Sequence, residues 1–354
     1  MEYYQFAAVR GIQAKKEYYI CMLPYKYLFE MFKSIILPIN PPYLRSQRIL
    51  NKSRLPAIKN YILNNSESYV FSAIVISVDG EIEFKNTKDN FQLGYLRLAK
   101  NSKFVVNDGQ HRIEAIKQAF KEKPELKYET ISAIFYYDAG LKNSQQIFTD
   151  LNRYTVKPTP SISILYDSRD TLADLTRYLA DNVYYFKDLT EYEKTSISNR
   201  SIYMFTLNGI YNSTKELLSK KSKFDILDEN EKELAKEYWT ILGDNIYEWS
   251  LIKNGKTTSK YLRDNFIHSH NLFLYVMGRI GNYLIQNRMN FKNYLEKLSN
   301  INWSRKNQEW EGIALNNGRL SKSKINIDNT YNFIMNKLEI TKCFKSEVVD
   351  NVFN

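Results

Sequence analysis

The chain has 354 residues, 44% of them hydrophobic and 14% aromatic, enough to bury a sizeable core and too apolar for a disordered polymer. Its formal net charge of +11 makes a polyanion such as double-stranded DNA an expected partner, although a Lys-, Asn- and Tyr-rich composition gives the same balance with no acidic partner at all. Two distant cysteines, Cys21 and Cys343, exclude a disulfide scaffold, a zinc site and an iron–sulfur cluster. The apolar runs are too short for a bilayer, and "MEYYQFAAVRGIQ" lacks the layout of a signal peptide, so a cytoplasmic protein is expected.

The first half mixes strands with helices. "EYYICMLP" (17–24) reads as a strand, and "QRILNKSRLPAIKNYILNN" (47–65) spaces Ile58, Tyr61, Ile62 and Asn65 as a helix does. "YVFSAIVISVDGEIEF" (69–84) predicts two strands folded into a hairpin at Asp79-Gly80. "KFVVN" (103–107) predicts a buried strand, "HRIEAIKQAF" an amphipathic helix and "TISAIFYYD" (130–138) a further strand. Together they predict a βαβ unit with a right-handed crossover. "KPTPS" (157–161) marks a boundary, set at residues 165/166. Beyond it the period becomes helical. Asp170 is a candidate N-cap, with Leu172, Leu175 and Leu179 on one face, and four further segments continue the texture to "NFKNYLEKL". The expected fold is therefore a mixed α/β domain (1–165) followed by a mainly helical domain (166–354).

The segment "FVVNDGQHRIEAIKQAF" (104–120) carries the densest chemistry. A loop entering a helix offers free backbone N–H groups and the positive end of the macrodipole. Gly109 lets a ligand approach the backbone, while His111 and Arg112 add donors suited to phosphate. Asp108 is suited to capping the helix, holding magnesium or accepting a proton, which makes Asp108 and His111 the candidate catalytic pair. A purely structural reading stays open: Asp108 caps the helix and Arg112 pairs with a surface carboxylate. No Walker A pattern is present, so a nucleotide here would not sit on a P-loop.

"QQIFTDLNR" (145–153), if helical, offers Gln146, Asp150, Asn152 and Arg153 to complete that site. A recessed Arg153 would suit an anion and Asp150 would pair with Asp108 on magnesium; a solvated helix face is the alternative. In "KTSISNRSIYMF" (194–205), Lys194 and Arg200 flank an expected helix start capped by Ser196 or Ser198, a geometry suited to a DNA phosphate. "WSRKNQEW" (303–310) and "GRLSKSK" (318–324) offer Arg305 and Lys306 as further DNA contacts, with Trp303 and Trp310 as core anchors. His268 and His270, two apart, are not expected to share a metal.

"DGQHR" followed by an Ala-Ile pair resembles the DGQHR-domain family, related to the ParB/sulfiredoxin-like fold. "QRILNKSRLPAIKNYILNNSESYVFSAI", "NSQQIFTDLNRYTVKPTPSISILYDSRD", "EKTSISNRS" and "NWSRKNQEWEG" extend the likeness, in order, to the DndB family of DNA phosphorothioation proteins. The resemblance implies a DNA-binding negative regulator of a bacterial modification operon, acting beside other phosphorothioation proteins. Relatives of the wider fold bind nucleotide phosphates at this loop, which would place ATP and magnesium at Asp108, Gly109, Gln110, His111, Arg112, Asn152 and Arg153. Sulfiredoxin-like proteins carry a cysteine where Gln110 stands, so thiol chemistry is excluded here. Two functions follow: a regulator, for which the two-fold symmetry of operator binders makes a homo-oligomer an expectation, or a nucleotide-dependent, ATPase-type accessory enzyme acting on DNA.

Overall fold

The computed structural model describes residues 2–32, 50–137, 141–153, 157–220 and 225–340. The chain divides into two compact units, residues 1–156 and 157–354.

The first unit contains strands β1 (Tyr3–Gln13) and β2 (Lys16–Pro24), helices α1 (Tyr25–Met31) and α2 (Leu55–Asn64), then β3 (Ile74–Asp79), β4 (Ile82–Thr87), β5 (Asn90–Ala99) and β6 (Lys103–Asp108). Helix α3 (Gln110–Glu122), strand β7 (Thr130–Tyr137) and helix α4 (Leu141–Arg153) complete it. The strands form one seven-stranded mixed sheet in the order β4-β5-β1-β2-β7-β3-β6.

Two expectations fail here. Asp79-Gly80 does not close a hairpin, because β4 pairs with β5 while β3 pairs with β6 and β7. Nor is β6–α3–β7 a βαβ unit: β3 lies between those strands, antiparallel to β6 and parallel to β7, so β6 and β7 run in opposite directions. A dipeptide fixes a local reversal but not the ladder partner. The partner is decided by which strand completes the core.

The connections force the sheet to curl. β3 and β4 stand five strand spacings apart in the sheet order, roughly 24 Å in a flat sheet at about 4.8 Å per spacing. The link from Asp79 to Ile82 reaches only about 11 Å when extended. The two ends of the sheet must therefore approach each other. Consistently, Tyr4 on β1 meets Phe104 on β6 edge-on at 6.2 Å, although their strands are not neighbours. Inward-facing Phe6, Cys21, Leu23, Ile76, Leu98 and Phe135 fill the curl and pack with Leu28 of α1 and Ile113 and Ile116 of α3. Burial pushes the Cys21 thiol up to about 12, as expected of a core residue rather than a nucleophile. Cys343 lies outside the described residues.

The second unit is built from α5 (Pro160–Tyr166), α6 (Thr171–Asn182), α7 (Leu207–Leu217), α8 (Glu229–Asp244), α9 (Tyr247–Lys253), α10 (Ser259–Asn265), α11 (Asn271–Gln286), α12 (Phe291–Leu295) and α13 (Lys324–Lys337), with short two-stranded ribbons. Pro160 starts α5, its first turn capped by Thr159. That helix belongs to the second unit, ahead of the expected division at 165/166. Asp170 caps α6 by accepting from the backbone N–H groups of Leu172 and Ala173, and Leu172, Leu175 and Leu179 are buried. α7 and α11 pack so closely that a Cβ on Gly278 would stand 2.2 Å from the carbonyl oxygen of Ser213. Around this pair lies an aromatic core of Phe186, Phe205, Trp239, Trp249, Phe273 and the stacked Trp303–Trp310 pair, whose ring centroids are 5.4 Å apart. Among the described residues no helix is long and apolar enough to cross a membrane.

Candidate functional site

At the end of β6 the ladder with β3 is irregular: Val75 pairs with Asp108 across a register shift. Such bulges re-aim side chains where a strand leaves the sheet. Gly109 follows in the left-handed region (φ 104°), and a Cβ there would lie 2.5 Å from Ile74 Cγ2. Only glycine satisfies both the backbone angle and the close approach. Gly109 occupies the N-cap of α3, and no side chain caps the helix. Asp108 therefore does not cap it, contrary to one reading of the sequence.

Arg112 instead turns back over the loop. Its guanidinium donates to Asp108 Oδ2 at 2.5 Å, to the carbonyl of Ala73 at 3.0 Å and to both the carbonyl and hydroxyl of Ser72. The side chain is 15% exposed, whereas that of Asp108 is 47% exposed. One arginine thus ties the strand's end, the helix's first turn and the approach to β3 together. His111 Nε2 accepts the backbone N–H of Asn51 at 3.1 Å, which places the ring proton of a neutral imidazole on Nδ1. Asn51 itself caps the short 3-10 turn Lys52–Arg54. Gln110 is buried, and Asn107 donates to Ser77 at 2.6 Å while its own Oδ1 is buried without a hydrogen-bond partner.

The loop's chemistry suits an oxyanion better than a metal. A helix start without a side-chain cap behind a glycine presents amide hydrogens to an anion. Asp108 already faces a guanidinium, and no group of three or more His, Cys, Asp or Glu among the described residues is placed to hold a metal ion. Sequence alone gave no signal for Ser72, Ala73 or Asn51, which receive the motif's side chains.

The second segment is helical, as its spacing implies, and α4 packs beside β6. Gln146 donates to Asp150 at 2.7 Å and Asn152 to the Phe148 carbonyl at 2.8 Å, both within the helix. Asn152 and Arg153 are exposed, so the expected recessed arginine is not found: the polar face of α4 turns to solvent.

No helix starts at 196–198. Residues 192–204 form turns, and the next helix, α7, is capped by Thr206. Ser and Asn serve turns as readily as helix starts, and here they serve turns. Lys194, Arg200 and Lys306 are exposed. Arg263, which the sequence did not single out, holds the turns together. It is buried and donates to the carbonyls of Ser198, Asn199, Ser201 and Tyr203. Arg305 donates to the carbonyls of Arg263, Asp264 and Gly318 and lines a cleft with the 195–199 turns.

His268 is a core residue. Its Nδ1 accepts the Trp249 indole N–H at 3.1 Å and its Nε2 lies 3.2 Å from Glu248 Oε2. With Nδ1 accepting, the proton of the neutral ring sits on Nε2, the nitrogen that faces Glu248. Burial holds the His268 pKa below its usual value and outweighs Glu248.

A curled mixed sheet is followed by a helical unit, and each carries basic side chains at its turns. The chain belongs to the DndB family, DNA-sulfur modification-associated, whose model matches residues 6–341. No curated protein and no solved structure matches it.

Proposed function

We propose that this chain is a DNA-binding protein of a bacterial DNA phosphorothioation system and acts there as a negative transcriptional regulator of the modification operon. The family match across residues 6–341, which takes in both compact units, carries this reading. The net charge of +11 supports it, because a basic protein gains affinity by releasing the counterions of a phosphate backbone. In this reading the protein is cytoplasmic. Its partners are double-stranded DNA of the operon promoter, other phosphorothioation proteins and a second copy of the chain. The first unit is read as a ParB/sulfiredoxin-like DGQHR domain. Its loop at Asp108–Arg112 binds a nucleotide phosphate on the amides after Gly109. A nucleotide alters DNA affinity only by preferring one of two states of the protein.

Fluorescence titration of promoter against scrambled duplex at two salt concentrations tests the reading. It predicts roughly a thousandfold preference for the promoter at physiological salt. Equal affinities would remove the regulator and leave electrostatic attachment.

A nucleotide-dependent accessory enzyme is the second reading, favoured by the α3 start without a side-chain cap. Phosphates there compete with the Asp108–Arg112 pair, so turnover requires Arg112 to change partners. Calorimetry with Mg-ATP that shows no heat of binding removes this reading.

A further inference from the structure

Three segments far apart in sequence meet in the helical unit: the 195–199 turns, residues 263–271 and the pair Arg305 and Lys322. They line a cleft of about 280 Å³. We propose that this cleft is a binding site for a single phosphate group. The proposal deepens the DNA-binding reading, on which the identity of the phosphate's carrier rests.

The charge balance is the first reason. Arg263, Arg305 and Lys322 line the cleft against one carboxylate, Asp264, and none of the three cations forms an ion pair among the described residues. The arginines are held by neutral backbone carbonyls, which fix their positions without cancelling their charge. Elsewhere in this unit cations do find carboxylates, such as the exposed Lys292 with Glu237 at 2.6 Å and the half-buried Arg279 with Asp328 at 2.7 Å. A guanidinium has five N–H donors. Arg305 directs its terminal nitrogens to three carbonyls, so donors remain.

The second reason is the sixteen-residue helix α11, which begins in the cleft. Its N-cap, His270, makes no side-chain cap bond. Phe273 N–H already donates to the His270 carbonyl, so the amides of Asn271 and Leu272, with the helix dipole, add to the three cations. His270 Nε2 meets the carbonyl of Arg263 at 2.9 Å, which requires a hydrogen on Nε2 because a carbonyl only accepts. Asn271, the next residue, has its Nδ2 on Thr206, while its Oδ1 is buried without a hydrogen-bond partner. Positive potential at this point is also felt by the histidine. Burial first, and then Arg305, Lys322 and Arg263, push its pKa down to about 4, against a single opposing carbonyl contact.

A phosphate reaches the cleft from DNA or as free phosphate, and the test separates these sources. Lys322 is exposed and makes no hydrogen bond among the described residues, so Lys322→Gln changes charge without disturbing the fold. Lys292→Gln, on α12, serves as the control. In full-length protein, the ring resonances of His270 are followed during titration with inorganic phosphate and with duplex DNA, and duplex affinity is measured at several salt concentrations. The wild type should show His270 shifts with both probes. Lys322→Gln should lose duplex affinity about fivefold, equally for promoter and scrambled sequence, and reduce the salt slope by about one. Lys292→Gln should behave as wild type. If phosphate shifts His270 in the wild type but not in Lys322→Gln while no duplex binds, the phosphate site stands and the DNA reading falls. If neither probe moves His270, or Lys322→Gln responds to both as the wild type does, the proposal is overturned.

Discussion

The two basic loops of this protein spend their charge differently. In the first unit Arg112 is paired with Asp108, and His111 accepts from a backbone amide, so the motif's side chains are largely consumed in holding strand, helix and turn together. In the second unit Arg263 and Arg305 bond only to neutral carbonyls, and Lys322 is exposed. The first arrangement is self-neutralising; the second keeps a net positive field. A conspicuous motif can therefore be mainly architectural, while a scattered set of residues retains the charge that a polyanion would meet.

Substitutions sharpen that contrast. Arg263→Ala leaves four carbonyls of the 198–203 turns without their donor. It should cost about 4 kcal/mol in denaturant titration, the largest single effect, since the group is buried and charged. Loss of near-native stability only at a single turn would show that the arginine is not the organiser.

Acid should act next. The folded pKa of His270 is about 4, below the ordinary 6.5, so the unfolded chain takes its proton first. Stability from this group is complete above about pH 6.5 and falls as pH drops toward 4, by on the order of 3 kcal/mol. His268, also depressed by burial, adds in the same direction. A denaturation midpoint that stays flat from pH 7 to pH 4.5 would contradict this.

Arg112→Ala should cost about 2 kcal/mol, because Asp108, Ser72 and Ala73 lose a shared donor at a partly exposed site. Lys322→Gln should change stability by less than about 0.5 kcal/mol, as expected of an exposed side chain. A large destabilisation there would mean that the lysine is structural and not available to a ligand.

Local features of the fold were readable where side-chain pattern alone decides them. β2, β6, β7, α3, α4 and α6 follow from alternation or from 3.6-residue spacing, and Asp170 caps where its position predicts. Strand partners were not readable: nothing in "SVDGEIEF" tells that β3 and β4 join opposite ends of a curled sheet. The Asp108–Arg112 loop was found from its residue types, but its internal bonding depends on Asn51, Ser72 and Ala73, which carry no special signature. The basic cleft was half visible. Arg305 and the turns near 196 stood out, while Arg263 and His270 join them only because α10 and α11 fold against those turns.

Hydrogen exchange of the full chain, with and without promoter duplex, tests the central claim most directly. The account predicts slowed exchange in peptides covering residues 195–203, 263–273 and 303–324 on DNA binding, with the 104–122 segment responding to nucleotide instead. Protection confined to 104–122 on DNA binding, with the helical unit unchanged, would contradict it.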